Sequence, residues 1–307
     1  MPEPTVDLST PSRSLEGATH DTSTTDRQLA GLDALDLGGG TRRSRKARAW
    51  ASTWPKLAAI VFAIGSWQLV VLSGWKPRYV LPPPATVFSE FWKLLSTGEF
   101  THSEILPATL GRAVIGFALA VLVGTAVGSV MSRVKPVRVA FASFVTGLQT
   151  MPSIVWFPMA LVLFGLNESA ITFVVVIGAA PSVANGILSG ADQVPIVLLR
   201  AGRVLGASGF TLWKEVVLPA SLPSFVAGLK QGWAFSWRSL MAGELIGASI
   251  GKQGIGGYLD NQRTLGDYPK LYATMLLILI LGLIVDNVFS AVERSISRRR
   301  GLLETAW

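Results

Sequence analysis

Apolar residues in this chain gather into six long runs separated by short polar connections, at about 57–75, 106–131, 137–164, 169–190, 220–248 and 268–292. A helix needs about 20 apolar residues to cross a hydrocarbon core roughly 30 Å thick, and each run approaches or exceeds that length. The third holds Pro152 and Pro158, which predict a kink or break there because proline removes a helix hydrogen bond and crowds the preceding turn. The fifth is interrupted by Lys230, Arg238 and Glu244, and the sixth carries Asp286 near its end. The pattern predicts an all-α polytopic membrane protein with six transmembrane helices.

Composition supports a bilayer as solvent: of 307 residues half are apolar, only 15% are charged, and mean hydropathy is positive. No cysteine is present, which excludes disulfides, thiolate metal sites and cysteine nucleophiles. Two histidines, His20 and His102, leave little for metal or acid/base chemistry, so neither a cofactor nor a metal is expected. The net charge of +8 does not predict nucleic-acid binding, because the basic residues are spread among the connections. Residues 1–55 differ from the rest, being rich in Ser, Thr, Asp, Gly and Arg, and predict a disordered cytoplasmic tail ahead of a membrane-spanning domain over 56–307. The tail's basic cluster runs into the first apolar stretch without a cleavage site, unlike a signal peptide. Contact with a partner or with anionic lipid is the other reading of this tail.

Cytoplasmic connections accumulate Lys and Arg. With the N-terminus inside, the cytoplasmic side receives eighteen of them and the opposite side six. Both termini are therefore expected in the cytoplasm, consistent with an even number of spans.

That topology makes the connection between the fourth and fifth runs, residues 191–219, cytoplasmic. Pro195 suits a helix start, Gly206 and Gly209 supply turn conformations, and Phe210, Trp213 and Val217 share one side of a short second helix that Pro219 ends. Such an exposed apolar face calls for a partner protein. The segment resembles the EAA loop of bacterial ABC importer permeases, in which Glu-Ala-Ala is followed at fixed spacing by Gly, Ile and Leu-Pro. Here Arg200, Ala201 and Gly202 occupy the opening triplet, followed by Gly206, Val216, Leu218 and Pro219 at the family spacing. Arg200 replaces the family's Glu and Gly202 its second Ala, which removes any ion pair made by that Glu but not the coupling helix.

The segments from Leu81 to Pro84, Leu218 to Leu229, Trp237 to Ile246 and Gly254 to Gly256 resemble the nitrate/sulfonate/taurine permeases, over roughly residues 57–295. The resemblance implies a type I ABC importer permease fold and a non-enzymatic role. It implies two ATPase subunits at the cytoplasmic face, a second permease copy and an extracytoplasmic solute-binding protein. It also implies a small anionic solute, an aliphatic sulfonate foremost, with nitrate and taurine as alternatives. The stretch from Gly247 to Gln253 lacks the spacing of a phosphate loop, so ATP is expected to be handled by a separate subunit. A secondary transporter or channel is the reading of another class; it predicts inverted repeats with paired broken helices, and no such repeat appears. A membrane scaffold leaves the docking face unexplained.

Charged residues inside a span face a partner or a wet cavity. Lys230 and Arg238, about 80° apart around one helix, are candidates for a translocation path together with Gln149 and Asn185, which equally suit helix-to-helix hydrogen bonds. Glu244 or Glu168 is the structural alternative as a partner for Arg238, and Asp286 is expected to pair with a basic neighbour. The spacing of Gly124 with Gly128, and of Gly243 with Gly247, predicts close helix approach, within the chain or at a dimer seam.

Overall fold

The computed structural model describes residues 45–102, 104–247 and 251–299. Most of the expected tail, residues 1–44, lies outside them, as does Arg300. The chain divides into two units, residues 1–65 and 66–307. The described elements are α1 (Arg45–Leu72), α2 (Pro84–Ser96), α3 (Glu99–His102), α4 (Ile105–Arg133), α5 (Lys135–Thr150), α6 (Phe157–Phe164), α7 (Glu168–Asp192), α8 (Ile196–Val204), α9 (Gly209–Leu212), α10 (Leu218–Ala220), α11 (Leu222–Ile246), α12 (Ile255–Leu265) and α13 (Tyr268–Arg299). Among the described residues the fold is all-α, and α1 opens at Arg45, inside the segment read as tail.

Helices occupy all six predicted runs. Four are long and apolar enough to cross a membrane: Thr53–Leu72, Ile105–Arg133, Glu168–Asp192 and Tyr268–Ile296. The third run is broken as Pro152 predicts: Met151 is extended, and Lys135–Thr150 meets Ser153–Phe164 at 102°, either a broken span or a re-entrant loop. α11 is 25 residues long, about 37 Å at 1.5 Å per residue, yet its polar content keeps it out of the apolar set.

The core is built around α7, whose most apolar 18-residue window is 67% buried, against 28% for α4. Small residues make this close approach feasible where lipid tails offer no hydrophobic drive between helices. A Cβ on Gly124 would stand 2.7 Å from Val183 Cβ of α7, and one on Gly128 would stand 2.9 Å from Ala184 Cα. On the opposite side, a Cβ on Gly228 of α11 would stand 2.7 Å from Gly186 Cα. Gly124 and Gly128 therefore serve packing within the chain, and Gly243 does the same against Ile171. Phe117, Trp233 and Phe289 join edge to face or tilted beside this core, with centroids 5.4–6.1 Å apart.

A second core joins the short helices to α13 and the start of α4. Val87 and Leu94 of α2, Phe100, Ile105, Ile255 and Tyr258 pack on Ala273 and Leu277 of α13. Tyr258 donates to Glu99 at 2.7 Å, and burial, then that carboxylate, pushes its hydroxyl well above the usual tyrosine range.

Candidate functional site

The connection from Gln193 to Ser221 folds as a helix, a turn and a second helix. Pro195 precedes α8, whose first turn needs no amide hydrogen there. Gly206 and Gly209 have φ of +86° and +51°, the left-handed region that resists other residues, so both glycines make the turn as the sequence implies. Gly202 stands where the family motif has Ala. A Cβ there would lie 2.8 Å from Leu212 Cδ1 and 2.9 Å from Val216 Cγ2, so its bare backbone seats the second helix on α8. Phe210 and Trp213 stack at 6.4 Å and 15°. Val204 and Leu205 are each 87% exposed and Phe210 62%, an apolar surface at the bend between the two helices.

Two expectations about this segment change. Trp213 has partners in its own chain: its Nε1 donates to Ser132 Oγ at 3.2 Å and Arg133 lies over its ring at 3.7 Å. Pro219 does not end the second helix. A π-helical turn over Trp213–Val217 carries the chain into α10, where Pro219 occupies a first-turn position, and only Ser221 interrupts the path into α11. Proline has no amide hydrogen to donate and its ring crowds the preceding turn of an ordinary helix; the widened turn just before it accommodates both. Arg200, Ala201, Leu218 and Val216 lie on these helices without an ion pair among the described residues.

The candidate path residues separate into three settings. Gln149 accepts from Asn185 Nδ2 at 2.7 Å and donates to Ser182 Oγ at 2.9 Å, so both polar residues knit α5 to α7. Gln149 also lines a cavity of about 340 Å³ with Arg238, Phe235, Met151, Pro152 and Ser153. Asn185 lines another, of about 250 Å³, with Ser182, Ser189, Gln193, Ser224 and Gln231. Lys230 reaches Asp286 at 3.9 Å, the pairing expected for that aspartate. Arg238 is exposed, rests over Phe235 at 5.4 Å, and has no carboxylate partner among the described residues.

Neither Glu244 nor Glu168 neutralises Arg238, because both are bound to Arg112, a residue the sequence reading passed over. Arg112 Nη1 donates to Glu244 at 2.9 Å, while Nη2 donates to Glu168 at 2.8 Å and to the Lys252 carbonyl at 2.6 Å. Glu244 is 2% exposed and Arg112 7%. Thr109 Oγ1 also donates to Glu244, at about 3.0 Å, and accepts from the Ile255 amide, while the Gly256 amide donates to the same carboxylate at 3.0 Å. A Cβ on Gly254 or Gly256 would collide with Glu244, and one on Gly251 with Glu168. The glycines around Ile255 are thus the wall of a carboxylate cradle, and Gly251 and Lys252, from the stretch compared with a phosphate loop, lie against the ion cluster. At its rim Lys252 donates to Glu104 at 2.7 Å, holding that carboxyl below its ordinary range and being raised by it in turn. The signal for Arg112 was present: an arginine seven residues into an apolar run calls for a partner or a wet cavity.

Residues 116–298, more than half of the chain, match the family of binding-protein-dependent transport system inner membrane components. A probable ABC transporter permease protein of Brucella melitensis is 29% identical over 242 residues, covering 79% of this chain and 95% of that one. A Bacillus subtilis protein described as an aliphatic sulfonates transport permease is 27% identical over 249 residues, 81% of this chain and 87% of that one. The nitrate import permease protein NrtB of Synechocystis is 27% identical over 242 residues, 76% and 86%. In fold, the chain is similar to a crystal structure of an amino acid ABC transporter with histidines, with a TM-score of 0.53 and 20% identity over 67% of this chain and 98% of that one. These permeases are transport components rather than enzymes, and they work with ATPase subunits and binding proteins. The chain belongs to the binding-protein-dependent transport system inner membrane components, and is a multi-pass membrane permease of the ABC importer type.

Proposed function

We propose that this permease carries a small anionic solute, an aliphatic sulfonate, inward across a bacterial cell membrane. Two copies of the chain act with two ATPase subunits docked on residues 191–219 and with an external solute-binding protein. In this reading α11 and the bent pair complete six spans over residues 56–307, both termini are cytoplasmic, and residues 1–55 form a cytoplasmic tail. The observation that carries docking is the motif-spaced connection, folded around Gly202, Gly206 and Gly209 and leaving Val204, Leu205 and Phe210 uncovered. An apolar face of this kind beside a membrane helix fits a protein cleft.

The anionic solute is supported by the cavity of about 340 Å³ where Arg238 stands without a carboxylate. Leu148, Met151, Ile154 and Phe235 line the same cavity, which suits a solute with a hydrocarbon portion better than a bare oxyanion such as nitrate. Taurine, itself a sulfonate, fits the same description. Lys230, Asn185 and Gln149 complete the proposed path.

The test of docking is co-purification of the ATPase subunit and stimulation of its hydrolysis with Gly206→Asp and Trp213→Ala, both expected in the membrane at wild-type abundance. Asp at a φ of +86° disturbs the turn, and both variants should lose recruitment or stimulation. Unchanged values in both sink the docking reading. A reporter active only outside should work at Gly266 and fail at Gly209; activity at Gly209 reverses the orientation.

A further inference from the structure

Phe210 and Trp213, the two rings of the proposed docking segment, rest on one guanidinium from another helix. Arg133, the last residue of α4, lies 3.7 Å from the Trp213 ring centre and 4.8 Å from that of Phe210. Its neighbour Ser132 accepts the Trp213 Nε1 hydrogen bond at 3.2 Å. Two consecutive residues thus hold the indole by its face and by its only donor, which fixes the ring's tilt as well as its distance. Arg133 takes part in no ion pair among the described residues, so the stacking is its contact with the fold. A planar guanidinium suits this role, since it lies flat on an aromatic face and interacts with its quadrupole.

The covalent layout gives the contact its meaning. The segment is continuous with α7 on one side and α11 on the other, so any displacement of it reaches those helices through the backbone. α4 has no such continuity, and its connection to the two rings is made by Ser132 and Arg133. Along its length α4 is seated on α7 through Gly116, Gly124 and Gly128, and 21 residues from Arg133, about 31 Å at 1.5 Å per residue, it carries Arg112 in the Glu244 cluster.

We propose that Arg133 is the positioning residue that fastens the docking segment to α4, so that a displacement imposed by the ATPase is delivered to a third helix. The proposal rests on the docking reading above. It requires a discrete change in α4 that both nucleotide and Arg133 control.

The test uses the reconstituted complex of this chain with its ATPase, unsubstituted or carrying Arg133→Gln, Arg133→Lys or Trp213→Phe. Co-purification reports docking. Amide hydrogen exchange over residues 126–133, compared between the nucleotide-free complex and the complex trapped with ATP and vanadate, reports delivery to α4. The expected change on trapping is about tenfold in the unsubstituted complex and less than about twofold in Arg133→Gln. Arg133→Lys keeps the charge without the planar face, and Trp213→Phe keeps the face without the donor; both should fall between. A purely structural role for Arg133 would shift exchange equally in both nucleotide states. A full nucleotide-dependent change in Arg133→Gln overturns the proposal. So does loss of the ATPase from Arg133→Gln alone, which would place Arg133 in the docking surface itself. Failure of the unsubstituted chain to bind the ATPase overturns the docking reading instead.

Discussion

The Glu244 cluster and the Gln193–Ser221 connection lie at opposite ends of α4, α7 and α11, and they are finished to different degrees. In the cluster a buried arginine and a buried carboxylate, Arg112 and Glu244, are bonded to each other and to the exposed Glu168, a threonine hydroxyl and the first amides of α12, over 2.6–3.0 Å. Glycines bring the backbone against the carboxylates with no room for a side chain. The connection has opposite properties. Its glycines supply turns, its aromatic rings lie against Arg133, and Val204 and Leu205 stay 87% exposed among the described residues. A region whose buried charges are bonded to one another is built to hold still, whereas one that leaves apolar surface uncovered is built to be completed by something else. The same three helices join the two, so the fold places a fixed anchor and an unfinished surface on common rods.

If the difference is real, substitutions in the cluster should damage stability most. Glu244→Ala breaks the buried pair at Arg112 Nη1, leaving that guanidinium only the exposed Glu168 and the Lys252 carbonyl, and removes the acceptor of Thr109 and of the Gly256 amide, a loss of about 3–5 kcal/mol for a broken buried pair. A large drop in the melting temperature of the purified permease is the expected readout. Replacing Arg112 and Glu244 together by methionine should cost less than the two single changes combined, because neither charge is then left alone. Additive costs would show that the pair is not the unit described. Gly254→Ala places a methyl against the Glu244 carboxylate and should cost about 1–3 kcal/mol, the range for overpacking.

In the connection, effects should divide the other way. Leu205 is 87% exposed, so Leu205→Asp should change stability by less than about 0.5 kcal/mol. Its charge in an apolar contact should nevertheless weaken ATPase binding at least about tenfold, near 1.4 kcal/mol. Measuring melting temperature and ATPase affinity on the same preparation separates the two ends. A Leu205→Asp variant that melts early but binds normally would erase the contrast.

Much of this was legible in the sequence because it depends on short-range rules. The apolar runs gave the helices, Pro152 gave the break, and Gly206 and Gly209 gave positive φ in the turn. The motif spacing pointed to the connection before its geometry was known. What was not legible depended on long-range pairing. Arg112 meets Glu244 across 132 residues of chain, and no local pattern announces which carboxylate an arginine will choose. α2 and α12 were missed because their apolar positions are too few to form a span, although Pro83 and Pro84 ahead of Val87 and Leu94 are an ordinary helix start. Trp213 was read as partnerless because Ser132 and Arg133 reach it from a helix about 80 residues earlier. Pro219 was misread as a terminator because a π-helical turn, which the sequence does not announce, makes room for it.

The smallest effect on stability, and the sharpest test of the path, belongs to Arg238. Its two candidate neutralisers, Glu244 and Glu168, bind Arg112, while Asp286 lies 3.9 Å from Lys230. What remains is Phe235, 5.4 Å from the guanidinium, and two cavities that Arg238 borders. One, of about 340 Å³, holds Gln149; the other, of about 460 Å³, holds Trp233, Trp237 and Asp286. An arginine holding the fold together through its charge would have a counter-ion, and its removal would strand one. Arg238→Gln strands none, so melting should change by less than about 0.5 kcal/mol. If the guanidinium instead meets the anion during passage, its loss should lower ethanesulfonate uptake by about tenfold, equivalent to about 1.4 kcal/mol. Arg238→Lys, which keeps the charge without the planar fork, should lose less. Both variants are measured at matched membrane abundance and matched ATP hydrolysis, with nitrate as a second probe. An arginine acting only through its charge affects both anions alike, whereas a cavity walled by Phe235, Met151 and Ile154 penalises the sulfonate more when the wall is altered, as in Phe235→Ser. Uptake of ethanesulfonate by Arg238→Gln at the unsubstituted rate removes this residue from the path and leaves Lys230 as the remaining basic candidate on α11.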